Sequence, residues 1–290
     1  MQSLADRNLG MLRSLLLGFT LLVVASSAEA IVIRHDVDDS RYRIPASDFP
    51  ALADMPSEGH GVLIAPRWVI TAAHAIPRNA TLKAIEIGGV PREVQKVFIH
   101  SGAKQPPQGM IDQALSTGDW ILAVFSIASS NDIALIKLTH AVTDVEPVPI
   151  YDGDGEVGSV VKIIGKGATG TGLSGHSPQG PNRTALRRAF NTITSADDRW
   201  ICYVFDDPAK ALPLEGKTGS GDSGGPALVE EGGEWKLAGL ASWGFIFGDV
   251  KTTNPGLYGQ LTCNVRLSRY TDWIRNVMAE PSDAAGGFAR

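Results

Sequence analysis

The chain has 290 residues, 43% of them hydrophobic and 20% charged, with a formal net charge of −5. That apolar content can fill a core and excludes an intrinsically disordered chain, and the mild acidity argues against a nucleic-acid partner, which needs a basic face. With only 2 cysteines, neither a dense disulfide scaffold nor a cysteine-rich zinc site is open to it.

Arg7 and Arg13 precede the apolar run Leu15–Val24, and Ala28-Glu29-Ala30 follows it. A basic flank, a short apolar stretch and a small-residue site read as a secretory signal peptide over 1–30, cleaved after Ala30. A membrane anchor would need roughly 20 apolar residues, about twice this run, and no later segment is long enough either. Cleavage would remove Asp6, Glu29, Arg7 and Arg13, two charges of each sign, so the net charge stays at −5. The remaining chain is expected to be secreted or periplasmic, away from any membrane. In that oxidising setting Cys202 and Cys263 either pair or stay as buried thiols, and spacing alone does not decide.

From 31 to 280 the texture is short apolar runs punctuated by Gly, Pro, Asn and Asp. Strands are expected at Gly61–Ile64, Trp68–Ile70, Val97–Ile99, Trp120–Phe125, Ile133–Leu138, Val160–Ile164, Lys236–Ser242 and Gly256–Leu261. Such spacing predicts an all-β fold rather than alternating strands and helices. The segments 101–118 and 167–184, rich in Gly, Pro, Ser and Gln, read as surface loops. One helix is expected over Arg269–Met278, ended by Pro281, with a polar tail over 281–290.

Three segments carry chemistry. Thr71-Ala72-Ala73-His74 follows an apolar run, Asn131-Asp132 opens another, and Gly221-Asp222-Ser223-Gly224-Gly225-Pro226 forms a glycine-rich turn. Taken singly, each has an ordinary structural explanation as a strand end or turn. Together they supply what a nucleophilic serine needs: a neutral His to take its proton, and a buried carboxylate to fix the His tautomer. Backbone N–H groups aimed at a developing oxyanion are the remaining need, and glycines permit the turn that presents them. Gly221–Gly225 also fits G-x-S-x-G, but that elbow requires a His after the Ser, and the last His is His176. The observed order is His, Asp, Ser.

With these motifs the sequence resembles a secreted trypsin-like (chymotrypsin-fold) serine protease over nearly all of 31–280. Ser242-Trp243-Gly244, Pro255-Gly256-Leu257-Tyr258 and Asp272-Trp273-Ile274 extend the likeness. The resemblance implies two six-stranded antiparallel β-barrels, about 31–148 and about 149–266, a C-terminal helix about 268–280, and an active site in the cleft between the barrels. It implies His74, Asp132 and Ser223 as a catalytic triad, and the amides of Gly221 and Ser223 as the oxyanion hole. Substrate binding would fall to Lys217, Thr218, Ser242, Trp243, Gly244 and Gly256. The reaction would be peptide-bond hydrolysis through an acyl-enzyme, by a monomer acting on polypeptides without a cofactor or metal. A catalytically silent binding homologue and an esterase are the competing readings.

The chain departs from the family pattern at Gly219, Ala75 and Gly59, which stand where cysteines are common. Lys217, six residues before Ser223, stands where trypsins carry an Asp that reads basic side chains, so the residue preference stays open. The family's activation implies that cleavage before Ile31-Val32 frees an amine that pairs with Asp222. Ile33 and Arg34 replace the two glycines expected next. His35, Asp36, Asp38 and Asp39 read as a solvated acidic stretch, and His60, His100 and His140 lack ligand-spaced partners.

Overall fold

The computed structural model describes residues 31–280 apart from 57, 78–80, 118, 177–184 and 247–253. The expected signal segment, the expected tail and the second half of the expected 167–184 loop lie outside the described residues.

The first half runs β1 (Ile31–Ile33), β2 (Leu52–Asp54), β3 (His60–Ala65), β4 (Trp68–Thr71), β5 (Ala84–Ile87) and β6 (Val90–Ile99). Helices α1 (Gln108–Thr117) and α2 (Ile121–Ala128) follow, then β7 (Ala134–Leu138). The second half runs β8 (Val160–Gly165), β9 (Thr169–Thr171), β10 (Gly175–His176), β11 (Arg187–Thr192), β12 (Ser195–Ala196) and β13 (Trp200–Val204). It ends with β14 (Gly216–Lys217), β15 (Pro226–Glu231), β16 (Glu234–Phe245), β17 (Leu261–Arg266) and α3 (Thr271–Ala279).

Strands β2-β3-β4-β7-β6-β5 close into a barrel. Its strands β4 and β7 are buried along their whole length, Lys137 of β7 included. The second half is a curled seven-stranded sheet, β11-β8-β15-β16-β17-β13-β12, in place of a second closed six-stranded barrel. In β11 burial alternates strictly, the period-2 signature of a strand with one face on a core. A smaller sheet, β10-β9-β1-β14, flanks it. β1 therefore belongs with the second half, although the first barrel was expected to begin at 31.

One apolar cluster fills the barrel, with Leu63, Val69, Ile85 and Ile136, and a second fills the curled sheet, with Val161, Ile201, Tyr203 and Ala238. A third joins them, bringing Ile70 and Leu135 of the barrel against Leu240, Val265 and Ile274. The two halves thus share a dry seam, and the loops at its rim are held by both.

Three local expectations fail. Trp120–Phe125 is not a strand, since α2 begins at Ile121, and 101–118 is not all loop, since α1 occupies its end. A short uniformly apolar run has no period that separates helix from strand. Here only Ala123 is buried, while Leu122 and Phe125 are 56% and 55% exposed, so one narrow face docks. Gly256–Leu261 is mostly a turn, with Gly256 and Gly259 at positive φ, and β17 starts only at Leu261.

Candidate active site

Strand register assembles the first two groups. β4 and β7 pair antiparallel with Thr71 opposite Ala134, so the residues just past Thr71 meet those just before Ala134. His74, in the short helical turn after β4, and Asp132, ahead of β7, are thereby neighbours. The Asp132 carboxylate takes the His74 backbone N–H at 2.8 Å and faces His74 Nδ1 at 2.7 Å. The Ser242 hydroxyl from β16 donates to the same carboxylate oxygen that faces Nδ1. An ionised carboxylate only accepts, so the imidazole proton sits on Nδ1 and Nε2 is left as an acceptor. Nε2 stands 2.8 Å from Ser223 Oγ. Burial opposes ionisation of Asp132. The charge of His74 and the hydrogen bonds from His74 and Ser242 outweigh it and hold the carboxyl below the usual range.

Ser223 is fixed by backbone contacts with both halves. Its carbonyl accepts the His60 N–H at 2.7 Å, and the next amide, Gly224, donates to Ala241 O at 2.7 Å. A trans peptide points its C=O and N–H in opposite directions. Ser220 O accepts from Ala168 N at 2.6 Å, and Asp222 O accepts from Gly225 N at 2.9 Å. The following amides, Gly221 and Ser223, are therefore turned the other way, and neither has a hydrogen-bond partner among the described residues. Gly221 needs φ +89° to make this turn, a conformation open to glycine at little cost.

Asp222 points away from the cleft. Its carboxylate takes the amides of Gly167 at 2.7 Å and Gly219 at 2.8 Å, and His60 Nε2 lies 3.9 Å away. Burial pushes its pKa up against the pull of His60 and these amides. The sequence reading gave His60 no ligand-spaced partner, yet a partly buried chain of polar contacts runs through it. Lys166 Nζ binds Asp54 at 2.8 Å, and Asp54 meets His60 Nδ1 at 3.1 Å. Burial would raise Asp54, but the bonds from His60 and Lys166 bring it down to about 2. Ile31 is fully buried in β1 at φ +63°, while Asp222 is satisfied by Gly167 and Gly219 rather than by Ile31.

Ser242, Trp243 and Gly244 run along β16, with the Trp243 ring edge-on to Trp200 at 5.6 Å. Lys217 ends β14 with Thr218 after it, and Gly256 turns at φ +97° beside His176. Burial first, and the Lys217 charge second, push His176 down to about 3, so it is neutral. Cys202 and Cys263, directly opposed on β13 and β17 with Cα atoms 4.2 Å apart, are joined in a disulfide. Among the described residues no cluster of three His, Cys, Asp or Glu could hold a metal ion, and no helix is long and apolar enough to cross a membrane.

Comparison with known proteins bears on this geometry. The family model described as Trypsin matches residues 40–274, most of the chain. Trypsin II-P29 of Gallus gallus is 28% identical over 279 residues, covering 90% of this chain and 98% of its own. Among solved structures, neuropsin, a serine protease expressed in the limbic system of mouse brain, superimposes with a TM-score of 0.59 at 22% identity. That match covers 82% of this chain and 98% of neuropsin. The likeness shows a shared all-β fold of the chymotrypsin type.

Proposed function

The chain belongs to the trypsin family and is a serine-type endopeptidase, and we propose that it cuts polypeptides through an acyl-enzyme on Ser223. One observation carries this reading: the unbroken line from Asp132 through His74 to Ser223, with gaps of 2.7 and 2.8 Å. His74 Nε2 takes the hydroxyl proton as Ser223 Oγ attacks the scissile carbonyl, then returns it to the leaving amine. Asp132, already ionised, stabilises the imidazolium in between. The amides of Gly221 and Ser223 receive the oxyanion, each worth about 2.7–4 kcal/mol to the transition state. Water then repeats the cycle on the ester. The extended substrate pairs with β16 at Ser242–Gly244, as an added strand.

The proposal includes export and activation. Signal cleavage after Ala30 delivers the chain to an oxidising compartment, in keeping with the Cys202–Cys263 bond. The new Ile31 ammonium then pairs with Asp222. Two features support this. A β-branched residue at φ +63° carries about 1–2 kcal/mol of strain, which disappears when the bond to residue 30 is cut. Asp222 is a buried carboxyl whose raised pKa a cation would correct. The enzyme would then act as a monomer, with no cofactor.

The test is labelling of the exported protein with a fluorophosphonate probe, alongside Ser223→Ala. Labelling lost in the variant is the expected result, and labelling that persists refutes the assignment. Sequencing the amino terminus of the same material checks activation, because a start well beyond Ile31 rules it out.

A further inference from the structure

Among the described residues the buried cations outside the mechanism include Lys137, whose ammonium lies over the Trp68 ring, and Lys217. The two buried guanidinium groups have carboxylate partners, Arg187 with Asp39 and Arg266 with Glu156. Lys217 is 5% exposed, yet its ammonium has no hydrogen bond or ion pair among the described residues. Burial, uncompensated, brings it down to about 8. A largely buried protonated amine without a counter-charge is costly, and an incoming anion can supply the missing partner.

Its surroundings say where that anion would come from. On β1 the opposed residue is Val32, on β10 the neighbour is neutral His176, and on β16 it is Gly244, so no negative group faces Lys217 from any of them. Lys217 Nζ lies 3.7 Å from where a Cβ on Gly244 would stand, and a glycine leaves that approach open. At the other end of this stretch Gly224 bonds to Ala241 O, which puts Ser223 beside Ala241. From Ala241 to Gly244 is three residues of strand, or about 10 Å. A substrate paired along β16 with its carbonyl at Ser223 can send the side chain of that residue toward Lys217, and a glutamate spans the gap with a salt bridge at its end.

Resting on the assignment of Ser223 as nucleophile, we propose that Lys217 makes this enzyme selective for an acidic residue, glutamate before aspartate, on the acyl side of the scissile bond. The carboxylate meets the ammonium in a charge-assisted hydrogen bond, and the desolvation that Lys217 has already undergone is not repeated when substrate binds.

The test uses succinyl-Ala-Ala-Pro-Xaa-4-nitroanilides with Xaa Glu, Asp, Gln, Phe or Arg, on exported protein whose active sites are counted by fluorophosphonate. The neutral isostere Gln isolates charge from shape. The expected result is kcat/KM for Glu about 30-fold or more above Gln, the loss usual when one partner of a buried charge pair is removed. In Lys217→Gln, checked for folding by thermal unfolding, that ratio collapses to within about 3-fold. Should the variant not fold, the wild-type ratio decides instead. It falls between pH 7 and 9.5 as the ammonium, poised at about 8, loses its proton in the free enzyme. A labelled enzyme that treats Glu and Gln alike, or a preference that survives in folded Lys217→Gln, overturns the proposal. Failure of the wild type to label or turn over any substrate overturns the nucleophile assignment and this inference with it.

Discussion

Replacing Gly224 with alanine tests how Ser223 is placed. A Cβ there would stand 2.3 Å from His60 O and 2.3 Å from Thr71 Oγ1, where ordinary contact begins at 3.4 Å. Neither obstacle gives way easily, because Thr71 Oγ1 donates to that same His60 carbonyl at 2.6 Å. The loop must therefore retreat by roughly 1 Å, and a misplacement of that size costs on the order of 10²-fold in rate. The 2.8 Å gap between His74 and Ser223 would open beyond hydrogen-bond reach. Positive φ adds about 1–2 kcal/mol of strain and overpacking about 1–3, or roughly 2–5 kcal/mol together. For a domain of this size that lowers Tm by roughly 5–15 °C. Gly232, at φ +63° in the β15–β16 turn with nothing within 4 Å of its Cβ site, is the control. Gly232→Ala should show the strain alone, with fluorophosphonate labelling at the wild-type rate. The assay pairs labelling rate and kcat/KM with thermal unfolding. Gly224→Ala retaining activity within 5-fold and an unchanged Tm would refute the idea that this contact between the halves positions the nucleophile.

Other perturbations separate other parts. Ser242→Ala removes a donor from Asp132; a hydrogen bond to a charged group is worth about 1.5–3 kcal/mol, so kcat/KM should fall roughly 10- to 150-fold. No change in the acid limb of the pH–rate profile would show that Ser242 does not tune the His74–Asp132 pair. Glu156→Gln leaves Arg266, bound through Nε at 2.8 Å and Nη2 at 2.7 Å, as an uncompensated buried charge. Stability should drop by about 3–5 kcal/mol in urea unfolding, with little change in active-site labelling once folded. Acid should weaken the fold in two stages, because His176 and Asp54 both titrate lower in the folded chain than unfolded. The unfolded state binds protons first, His176 from 6.5 toward about 3 and Asp54 from 3.8 toward about 2. Unfolding free energy flat between pH 7 and 4 would contradict the buried neutral His176.

What the chain discloses before folding is local. T-A-A-H, N-D and G-D-S-G-G-P each sit in a loop beside a strand, where neighbouring residue types specify the turn. The partners of their side chains come from elsewhere. Ser242 reaches Asp132 across 110 residues, and Lys166 reaches Asp54 across 112, with no pattern to mark either pairing. Ser242 was read as a substrate-binding residue, and its hydroxyl had no assigned task. Helices α1 and α2 escaped for a related reason. The run from Ile121 to Ala128 is apolar but for Ser126, so it has no period of its own, and only tertiary packing decides that Ala123 is on the buried side. The helix over Thr271–Ala279 was legible because Ile274 and Val277 recur on one face against polar neighbours.

The cystine also acts as a tether. It spans 61 positions, and in the chain-entropy picture a loop of that length is worth about 4 kcal/mol. Enclosed within it are Lys217, the whole Gly219–Gly225 turn and strand β16. A proteolytic cut anywhere in 203–262 would leave both pieces on one covalent molecule. For an enzyme surrounded by copies of itself, self-digestion in that stretch becomes a nick rather than a loss. Clipped and intact molecules should run together on a non-reducing gel and separate only after thiol treatment.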